Sequence, residues 1–482
     1  MANLKRSQNL EARSSKRRPK SSASLASPAR ICAYEILLAM RANNKYLSRV
    51  APKILSSFML SAEDKAFAIL LTRGVVSTSG SLDELINSVL NNPSDVQDDI
   101  RQALRIGAYE LFFLKKEAYA VVDQTVELVR YASPRAARLG NFVMRRLSNQ
   151  LSLFPYGNPE KSLKAASLLQ GFPEWLAFQL EKDMGHNQVR TFMAYSNNQA
   201  PVFFTFNENR VAAQKAQEAL INKGIEFTQF SASFLKGAVQ TAGTLVPPIY
   251  LLSKPSFVSH PLFSGLVDEG GIIISDASAQ YIASLALPLQ KPERFLEVGA
   301  GNGTKTLLLQ NAAKKKYGEQ IKLTPVEINE SKAEILKQRM KRSHVQYEDV
   351  LVSDGAALTK ENVGLFDAVF IDAPCTGVGT LRRHPEIRWR LSKEDSQVLS
   401  EINFNLLYAE AQLVAPCGRL TYATCTPLCK ENEEVIVRFL NTEIGKQFTL
   451  VPSGIAGEPF FHSPLSENVD IHFACVLERK AN

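Results

Sequence analysis

The sequence predicts a multi-domain protein that ends in a Rossmann-like α/β domain with a mostly parallel sheet. Strands and helices alternate regularly after residue 294, helical periodicity dominates residues 29–150, and strand-like alternation surrounds one helix in residues 201–275. Regular strand–helix alternation is typical of a parallel sheet with helices on both faces. We therefore expect an all-helical domain at 29–150, a helical linker region at 151–200, a small α+β domain at 201–275 and the α/β domain at 276–482.

Composition limits the class of protein. The 482 residues are 45% hydrophobic and 22% charged, which suffices for several cores and excludes collagen, a small disulfide scaffold and a fully disordered chain. No apolar stretch is long enough to span a membrane. Six cysteines in a chain of this length are typical of a cytosolic protein with free thiols, so we expect a cytoplasmic location.

The first residues, 1–28, are predicted to form a disordered basic arm. The whole chain has a net charge of +8, and its first thirty residues hold eight basic side chains and one acidic side chain. This segment is rich in serine and lacks apolar periodicity. The pattern is compatible with a tail that binds RNA phosphates weakly, a solvated tail without a ligand, or an organellar transit peptide, and the sequence leaves these three open.

Helices are predicted wherever apolar residues recur at spacings of three and four. Within the first domain, six segments show this pattern: ARICAYEILLAM, DKAFAILLTRGVV, SLDELINSVL, IRQALRIGAYELFFL, AVVDQTVELVRYA and PRAARLGNFVMRRLSNQ. Two more, PEWLAFQLEKDMG and NQVRTFMAYSN, follow a linker that is rich in proline and glycine. In the small α+β domain, the strands VFFTFN, EFTQF and IYLLS surround the helix RVAAQKAQEALINKG.

The α/β domain is predicted to contain six strands, the last of them antiparallel to the others. The strands are RFLEVG, KLTPVE, VQYEDVLVSD, DAVFID, RLTYAT and IHFACVLE. Helices are expected near 304–317, 329–342, 395–414 and 430–442. Ligands of such sheets bind beyond the carboxyl ends of the strands, so the functional residues should follow the strands directly.

A glycine-rich turn follows the first of these strands and predicts a cofactor site. Residues 299–303 form a G-x-G-x-G turn, which lets a ligand approach the backbone closely. Glu297 precedes the turn, and Glu327, Asp354 and Asp372 end the next three strands, so the edge favours a cationic ligand. S-adenosylmethionine carries a sulfonium and an ammonium, whereas these acids would repel the pyrophosphate of NAD. We therefore expect S-adenosylmethionine, with Glu327 accepting hydrogen bonds from its ribose hydroxyls.

Two cysteines follow neighbouring strands and predict nucleophilic chemistry. Cys375 lies in DAPCTG and Cys425 in YATCT, so both thiols should project at the same edge of the sheet. A thiolate is suited to attack C6 of a pyrimidine, which makes C5 nucleophilic enough to accept a methyl group. The second thiol could then act as a base or assist release. The other cysteines are expected to be small buried hydrophobes, and no metal site is predicted because the spacing lacks a C-x-x-C pair or a nearby histidine.

Basic and aromatic residues follow Cys375 and indicate a contact with RNA. The segment TLRRHPEIRWR contains Arg382, Arg383, His384 and Trp389. Cations bind phosphates and a tryptophan can stack on a base, so we expect a clamp for RNA beside the nucleophile. A solvated loop is the alternative interpretation.

Five motifs together resemble the Nol/Nop/Sun family of RNA cytosine-C5 methyltransferases, in particular its bacterial small-subunit rRNA branch. They are DASAQ at 276–280, the turn through Lys305, IDAPCTGVG at 371–379, RRHPEIRW at 382–389 and YATCT at 422–426. The helical region before residue 151 is similar to the NusB-like RNA-binding domain of such enzymes. The resemblance implies S-adenosylmethionine-dependent formation of 5-methylcytosine in 16S rRNA or an early small-subunit particle, through a covalent Cys–C6 intermediate. The sequence leaves the oligomeric state open, with a monomer favoured.

The resemblance also implies roles for individual residues. Cys425 matches the nucleophile, Cys375 matches the thiol of product release, and Asp372 matches a residue that orients the cytosine. The residues implied to contact S-adenosylmethionine are Gly299, Ala300, Gly301, Asn302, Gly303, Thr304, Lys305, Glu327, Asp354 and Asp372. Asn302 and Thr304 depart from the usual Cys-Ala-Ala-Pro-Gly-Gly-Lys of the family. Another RNA such as tRNA, and a non-catalytic RNA-binding assembly factor, remain alternatives.

Overall fold

A computed structural model of the chain describes residues 26–43, 45–235 and 244–481. The chain divides into two compact units, Met1–Phe154 and Pro155–Asn482, and each has apolar cores of its own. Within the described ranges, no helix is long and apolar enough to cross a membrane. The same ranges hold no group of three or more His, Cys, Asp or Glu side chains that could bind a metal ion.

The amino-terminal unit is all-helical, as the periodicity predicts. Its helices are α1 (Pro28–Asn43), α2 (Leu47–Ser56), α3 (Ala62–Ser88), α4 (Asp98–Phe112), α5 (Ala118–Ala132) and α6 (Ala137–Ser148). Helix α2 is not predicted from the apolar periodicity because it is short and contains Pro52. The two helices predicted at 64–76 and 81–90 are joined in α3, which departs from helical geometry at Thr78, where φ is −110° and ψ is 15°.

The predicted basic arm lies outside the described residues except for its last part. Ala26 is buried in the core of the helical unit and α1 begins at Pro28, so folded structure includes the last residues of the predicted arm. Arg30, one of the basic residues counted near the arm, donates two hydrogen bonds to the buried carboxylate of Glu110, at 2.8 and 2.6 Å. A cation paired in this way serves the fold rather than RNA phosphates.

The second unit begins with three helices and a small antiparallel sheet. These elements are α7 (Leu163–Gln170), α8 (Glu174–Met184), α9 (His186–Tyr195), β1 (Phe203–Phe206), α10 (Ala213–Asn222), β2 (Phe227–Gln229), β3 (Tyr250–Leu252), α11 (Pro261–Asp268) and β4 (Ile272–Ile274). The four strands pair in the order β2-β3-β1-β4. Phe204, Phe206 and Tyr250 pack against one another in its core. The mixture of strands and helices agrees with the α+β character that the alternation predicts.

A Rossmann-like sheet follows, with the strand order β10-β11-β8-β7-β5-β6 and β9 beside β11. Its elements are α12 (Ala277–Leu285), β5 (Phe295–Val298), α13 (Thr304–Tyr317), β6 (Leu323–Val326), α14 (Glu330–Arg342), α15 (Lys360–Val363), β7 (Phe366–Asp372), α16 (Ile387–Arg390), α17 (Asp395–Ala411), β8 (Val414–Thr424), α18 (Glu433–Leu440), β9 (Phe448–Val451), β10 (Phe460–His462) and β11 (Phe473–Arg479). Strands β5 to β8 are parallel, and β11 is antiparallel to β8. The predicted mostly parallel sheet with an antiparallel last strand is confirmed, and the short antiparallel strands β9 and β10 add to it.

The prediction of a strand at 345–354 is wrong, because the segment forms an isolated bridge instead of a strand. This segment runs beside β6, but only one bridge joins the two among the described residues, between Val326 and Leu351. The Leu351 N–H donates to the carbonyl of Pro325 at 2.9 Å, and Pro325 has no N–H to donate in return, so a continuous ladder does not form. Because the bridge joins Leu351 to the last residue of β6, Asp354 still lies at the carboxyl edge of the sheet.

The helices and the small sheet that precede α12 share cores with the Rossmann-like sheet. Leu176 of α8 packs in one apolar cluster with Val378, which follows β7. The side-chain amide of Asn207, just after β1, donates to the carbonyl of Ser343 at 2.9 Å. The boundaries predicted near residues 200 and 275 are therefore changes of element type within one compact unit.

Candidate active site

The carboxyl ends of three parallel strands meet at one edge of the large sheet. Strand β7 lies between β5 and β8, and Asp372 at its end pairs with Ala423 of β8. Residues 299–303 follow β5, Cys375 follows β7, and Cys425 follows β8. The glycine turn and both thiols are therefore brought to the same edge, as the sequence predicts.

The glycine turn lies so close to neighbouring residues that two of its positions have no room for a side chain. Gly299 and Gly303 have φ values of +82° and +84°. A Cβ at Gly299 would overlap the carbonyl oxygen of Asp372, and one at Gly303 would lie 2.8 Å from Cε of Met340. Gly301, with a φ of +58°, has no atom nearer than 3.9 Å to the same position. The turn thus presents open backbone, which suits a ligand that approaches the main chain.

Two of the predicted cofactor acids stand beside this turn with their carboxylates oriented. Glu327 accepts hydrogen bonds from the backbone N–H of Gly301 and of Asn329, both at 2.8 Å. Each carboxylate oxygen keeps a second lone pair for a hydroxyl donor. Asp354 is exposed and accepts from the N–H of Ala356 at 3.0 Å. Both acids are therefore positioned to accept further hydrogen bonds at the edge of the sheet.

Glu297 does not belong to this acidic series, although the sequence suggests that it does. It lies within β5 and is fully buried. Burial raises the pKa of Glu297 to about 8. The hydrogen bond from the Thr306 hydroxyl acts to lower this pKa, and the negative charge of Asp372 acts to raise it. The group is therefore neutral near pH 7. The negative charge offered to a cationic ligand comes from Glu327, Asp354 and Asp372.

Arg339 of α14 is a component of the turn that the sequence does not reveal. Its Nη1 donates to the carbonyl of Asn302 at 2.7 Å and to the hydroxyl of Thr304 at 3.0 Å. These are two of the positions at which the turn departs from the resembled family. The Thr304 hydroxyl thus accepts a hydrogen bond from a guanidinium on another helix, and this bond stabilises the shape of the turn.

A second residue that sequence reasoning misses is Glu410 of α17, which lies behind Asp354. Its carboxyl is buried beside Gly355, and among the described residues neither of its oxygens has a hydrogen-bond partner. Burial, followed by the negative charge of Asp354, raises the pKa of Glu410 to about 8. The folded protein therefore holds this carboxyl in its neutral form at pH 7.

Replacing Glu410 with glutamine should remove part of the pH dependence of stability. The unfolded chain releases this proton near pH 4.5, whereas the folded state holds it to about pH 8. The stabilisation is full below the lower value and is lost as the pH rises through the upper one, at up to about 1.4 kcal/mol per pH unit. Denaturant titrations should give Glu410→Gln and the parent equal free energies of unfolding at pH 4, below the unfolded pKa, and a more stable variant at pH 9.

The control for this measurement lies on the same helix. Glu401 of α17 is about half exposed, so Glu401→Gln should keep the parent's dependence on pH. Equal dependence for Glu410→Gln and the parent would show that the buried carboxyl does not titrate as described.

An ion pair lies at the centre of the edge. Lys305 Nζ is 2.5 Å from Oδ2 of Asp372. Burial acts to lower the pKa of Lys305, but the charge of Asp372 and their hydrogen bond raise it overall, and charge on Cys425 or Cys375 would raise it further. The lysine is therefore an ammonium close enough to both sulfur atoms to stabilise a thiolate.

The two predicted thiols are in contact. Cys375 Sγ and Cys425 Sγ are 3.0 Å apart, and the backbone N–H of Cys425 donates to Cys375 Sγ at 3.3 Å. The hydrogen bond with the Cys425 sulfur, followed by burial, raises the pKa of Cys375 well above its ordinary value. The Cys375 sulfur therefore holds its proton tightly, whereas a negative charge on the Cys425 sulfur would interact favourably with the ammonium of Lys305.

The loops that carry the thiols are fastened to each other. The Thr376 hydroxyl donates to the hydroxyl of Thr426 at 3.0 Å, and its N–H donates to Glu431 at 2.8 Å. The N–H of Gly379 donates to the carbonyl of Cys425 at 2.9 Å. Burial raises the pKa of Glu431. Because these contacts bridge the two loops directly, they fix the separation of the sulfur atoms.

The prediction that Arg382 contacts RNA is wrong for this structure. Its side chain is 1% exposed, and the guanidinium donates to Asn468 at 2.7 Å and to Asp470 at 3.1 Å. Arg383 is partly exposed but also forms ion pairs, with Asp470 at 2.5 Å and with Asp276 at 3.2 Å. The acids that bind these arginines are remote in sequence, so the local pattern of charges could not show them.

Other parts of the same motif also serve the fold. The guanidinium of Arg388 is fully buried, donates to the carbonyl of Gly171 at 3.1 Å and lies 4.2 Å from the ring centroid of Phe172. His384 and Trp389 are half-buried. The segment thus attaches the helices before the small sheet to the Rossmann-like part, and only some of its residues retain access to solvent.

Two protein-family models match the chain. Residues 284–458 match the model described as 16S rRNA methyltransferase RsmB/F, and residues 27–149 match the model of the NusB family. The chain contains an RsmB/F-type methyltransferase domain and a NusB-family domain. These matches confirm the predicted family, with a helical NusB-like domain followed by a Rossmann-like methyltransferase domain.

Relatives of this RsmB/F-type chain match most of its length. The ribosomal RNA small subunit methyltransferase B of Shewanella oneidensis is 28% identical over 398 residues, or 82% of this chain and 85% of the relative. The protein of the same name from Proteus mirabilis is 25% identical over 431 residues, or 87% of this chain and 94% of the relative.

Solved structures share the fold of the RsmB/F-type chain. The crystal structure of PH0851 has a TM-score of 0.74 at 22% identity, and the match covers 95% of this chain and 100% of that one. A methyltransferase homolog from Pyrococcus horikoshii has a TM-score of 0.53 at 21% identity, covering 66% of this chain and 99% of that one.

Proposed function

We propose that this chain transfers a methyl group from S-adenosylmethionine to C5 of a cytosine in small-subunit ribosomal RNA. The observation that carries the proposal is the 3.0 Å separation of the Cys375 and Cys425 sulfur atoms beside the Lys305–Asp372 ion pair. Transfer to oxygen or nitrogen needs no thiol, because those atoms attack with their own lone pairs. C5 must first be activated by a nucleophile at C6, and a thiolate suits that role. The names of the relatives support the choice of RNA.

The edge of the sheet fits the proposed cofactor. The open backbone at Gly301 can accept the ligand closely, Glu327 can bind ribose hydroxyls, and Asp354 can accept from an adenine amino group. Asp372 supplies negative charge near the place where a sulfonium would lie. S-adenosylmethionine bound there would supply an electrophilic methyl group.

The thiols are arranged for addition to the cytosine ring and elimination from it. The thiolate of Cys425 forms a bond to C6, and the ring electrons move toward N3 and O2, where the ammonium of Lys305 can offset the charge. Asp372 is placed to accept a hydrogen bond from the cytosine amino group. C5 then carries the new methyl group and its original proton. The C5 proton passes to a water molecule as the C6–S bond breaks and returns its electron pair to Cys425. The Cys375 thiol, which keeps its proton because its pKa is raised, assists release by donating a hydrogen bond to the departing sulfur.

The RNA must present this cytosine outside its base stack, since C5 and C6 are inaccessible within a helix. Arg383, His384 and Trp389 keep partial exposure and are the proposed contacts from the motif after Cys375. The NusB-like domain is the proposed second RNA-binding region.

The function is tested with the purified protein, S-adenosylmethionine labelled in its methyl group, and transcripts of small-subunit rRNA and of tRNA. We expect incorporation into the rRNA, and bisulfite sequencing should place a 5-methylcytosine at a defined site. Incorporation into tRNA alone would reassign the substrate. Absence of S-adenosylmethionine binding in calorimetry, together with binding of rRNA, would instead favour a non-catalytic assembly factor.

A further inference from the structure

A cavity of about 350 Å³ lies against the loops that carry the two thiols. Thr376, the residue after Cys375, forms part of its wall, and Leu428, which follows Cys425 in the next loop, forms another part. Helix α8 closes the opposite side with Trp175 and Phe178. The cavity therefore borders both thiol loops, and the mechanism above does not use it.

The walls of the cavity combine aromatic rings with cations. Trp175 is half-buried, whereas Phe178 is 52% exposed although it lies on a regular helix. Lys393 and Lys430 lie at the rim, and among the described residues neither forms an ion pair with a carboxylate. An aromatic surface beside unpaired ammonium groups is the combination that proteins use for single-stranded nucleic acid, where bases stack and phosphates meet cations.

The size of the cavity restricts the occupant. A volume of about 350 Å³ lies at the lower end of the range for small-ligand sites and suits one base with its sugar rather than a helical segment of RNA. A base turned out of its stack needs a face to stack on, which the two rings provide, and its phosphate needs a counter-charge, which the lysines provide.

We propose that this cavity binds one unstacked nucleotide that flanks the target cytosine in the RNA. The inference rests on the proposed function, because it takes the thiol pair as the place of the target base. Stacking on Phe178 and Trp175 would hold the flanking base, and Lys393 and Lys430 would bind its phosphate. Such a nucleotide fixes the strand on one side of the cytosine and adds sequence context to its selection.

The test combines RNA and protein changes in the full-length chain. The RNA is the small-subunit fragment that carries the methylated cytosine, with or without an abasic nucleotide on either side of it. Loss of one flanking base should lower kcat/KM of the parent by about ten- to a hundredfold. Phe178→Ala should cause a similar loss with the intact RNA and little further loss with that abasic RNA, because both changes remove the same stacking contact.

Tyr408→Ala is the matched control, because Tyr408 is also an exposed helical aromatic residue, at 41% exposure on α17. It should respond to the abasic RNA as the parent does. The double variant of Lys393→Ala and Lys430→Ala should weaken RNA binding and reduce its dependence on salt. If Phe178→Ala and the lysine variant both behave as Tyr408→Ala does while the parent methylates its RNA, the cavity does not bind a nucleotide.

A binding measurement separates this inference from the proposed function. The chain has two tryptophans, and the fluorescence that is lost in Trp175→Phe is the signal of Trp175, while Trp389 stays in place. The same RNA fragment should quench the Trp175 signal, and the abasic RNA should quench it less. If the parent methylates no RNA but this quenching is observed, the methylation proposal fails and the nucleotide site stands. If methylation proceeds without any quenching, the nucleotide site fails.

Discussion

Cys425→Ala should lower the rate of methyl transfer by at least about 10⁴-fold, because without this thiol no bond to C6 forms and C5 stays unreactive. The neighbouring Cys375, 3.0 Å away, cannot substitute for it, since burial and the contact between the sulfurs hold its proton. The measurements are incorporation of labelled methyl groups into rRNA and formation of a protein–RNA adduct that survives denaturing electrophoresis. Both should disappear in this variant.

Cys375→Ala should have a different effect on the same two measurements. Addition at C6 can still occur, but the thiol that donates a hydrogen bond to the departing Cys425 sulfur is missing, so the adduct should accumulate and turnover should fall. Cys417→Ser serves as control, because Cys417 is exposed and lies near the start of β8, whereas Cys425 follows the end of that strand, and it should behave as the parent does. An adduct in Cys425→Ala and none in Cys375→Ala would exchange the two assignments.

Gly379→Ala should disrupt the active edge without touching a reacting atom. A Cβ at this position would overlap the carbonyl oxygen of Ile471 and lie 2.8 Å from that of Cys425. Both obstacles are backbone, so the loops must separate, and the hydrogen bond from the Gly379 N–H to Cys425 would be lost. We expect destabilisation of about 1–3 kcal/mol, typical of overpacking, and a much larger fractional loss of methyl transfer. Thermal unfolding and initial rates measure the two effects.

Gly265→Ala is the matched control for this substitution. Gly265 lies within α11, and an added Cβ would meet no atom within 4 Å. Alanine there should raise the free energy of unfolding by up to about 1 kcal/mol through its better helix propensity and leave the rate unchanged. If Gly379→Ala is as stable and as active as Gly265→Ala, the two loops are not held by the contact described.

The sequence predicts well the features that depend on local spacing. The parallel strands, the glycine turn after β5 and the thiols after β7 and β8 follow from alternation and from the rule that functional residues follow the strands. Contact between Cys375 and Cys425 follows from the same rule, because β7 and β8 turn out to be neighbours. Each of these features is encoded within a short stretch of chain.

The features that depend on partners remote in sequence could not be predicted. Arg382 lies in a basic segment that is typical of RNA contacts, but its charge is paired with Asp470. The contact of Arg339 with the glycine turn forms only when α14 packs beside that turn. The failed strand near Leu351 depends on the missing N–H of Pro325 in the neighbouring strand. Burial decides the charge of Glu297 and Glu410 in the same way, and no local pattern reports it.

The attachment of the thiol loops to the last part of the chain has a consequence during synthesis. The carbonyl of Gly379 accepts from the N–H of Ile471, and Arg382 and Arg383 are held by Asp470, all in a segment that the ribosome produces long after Cys375. A nascent polypeptide therefore lacks part of the restraints on the loop after Cys375 until residues 470 and 471 have been made. The enzyme should become competent to react with RNA only after translation of this segment, so an incomplete product would not trap RNA.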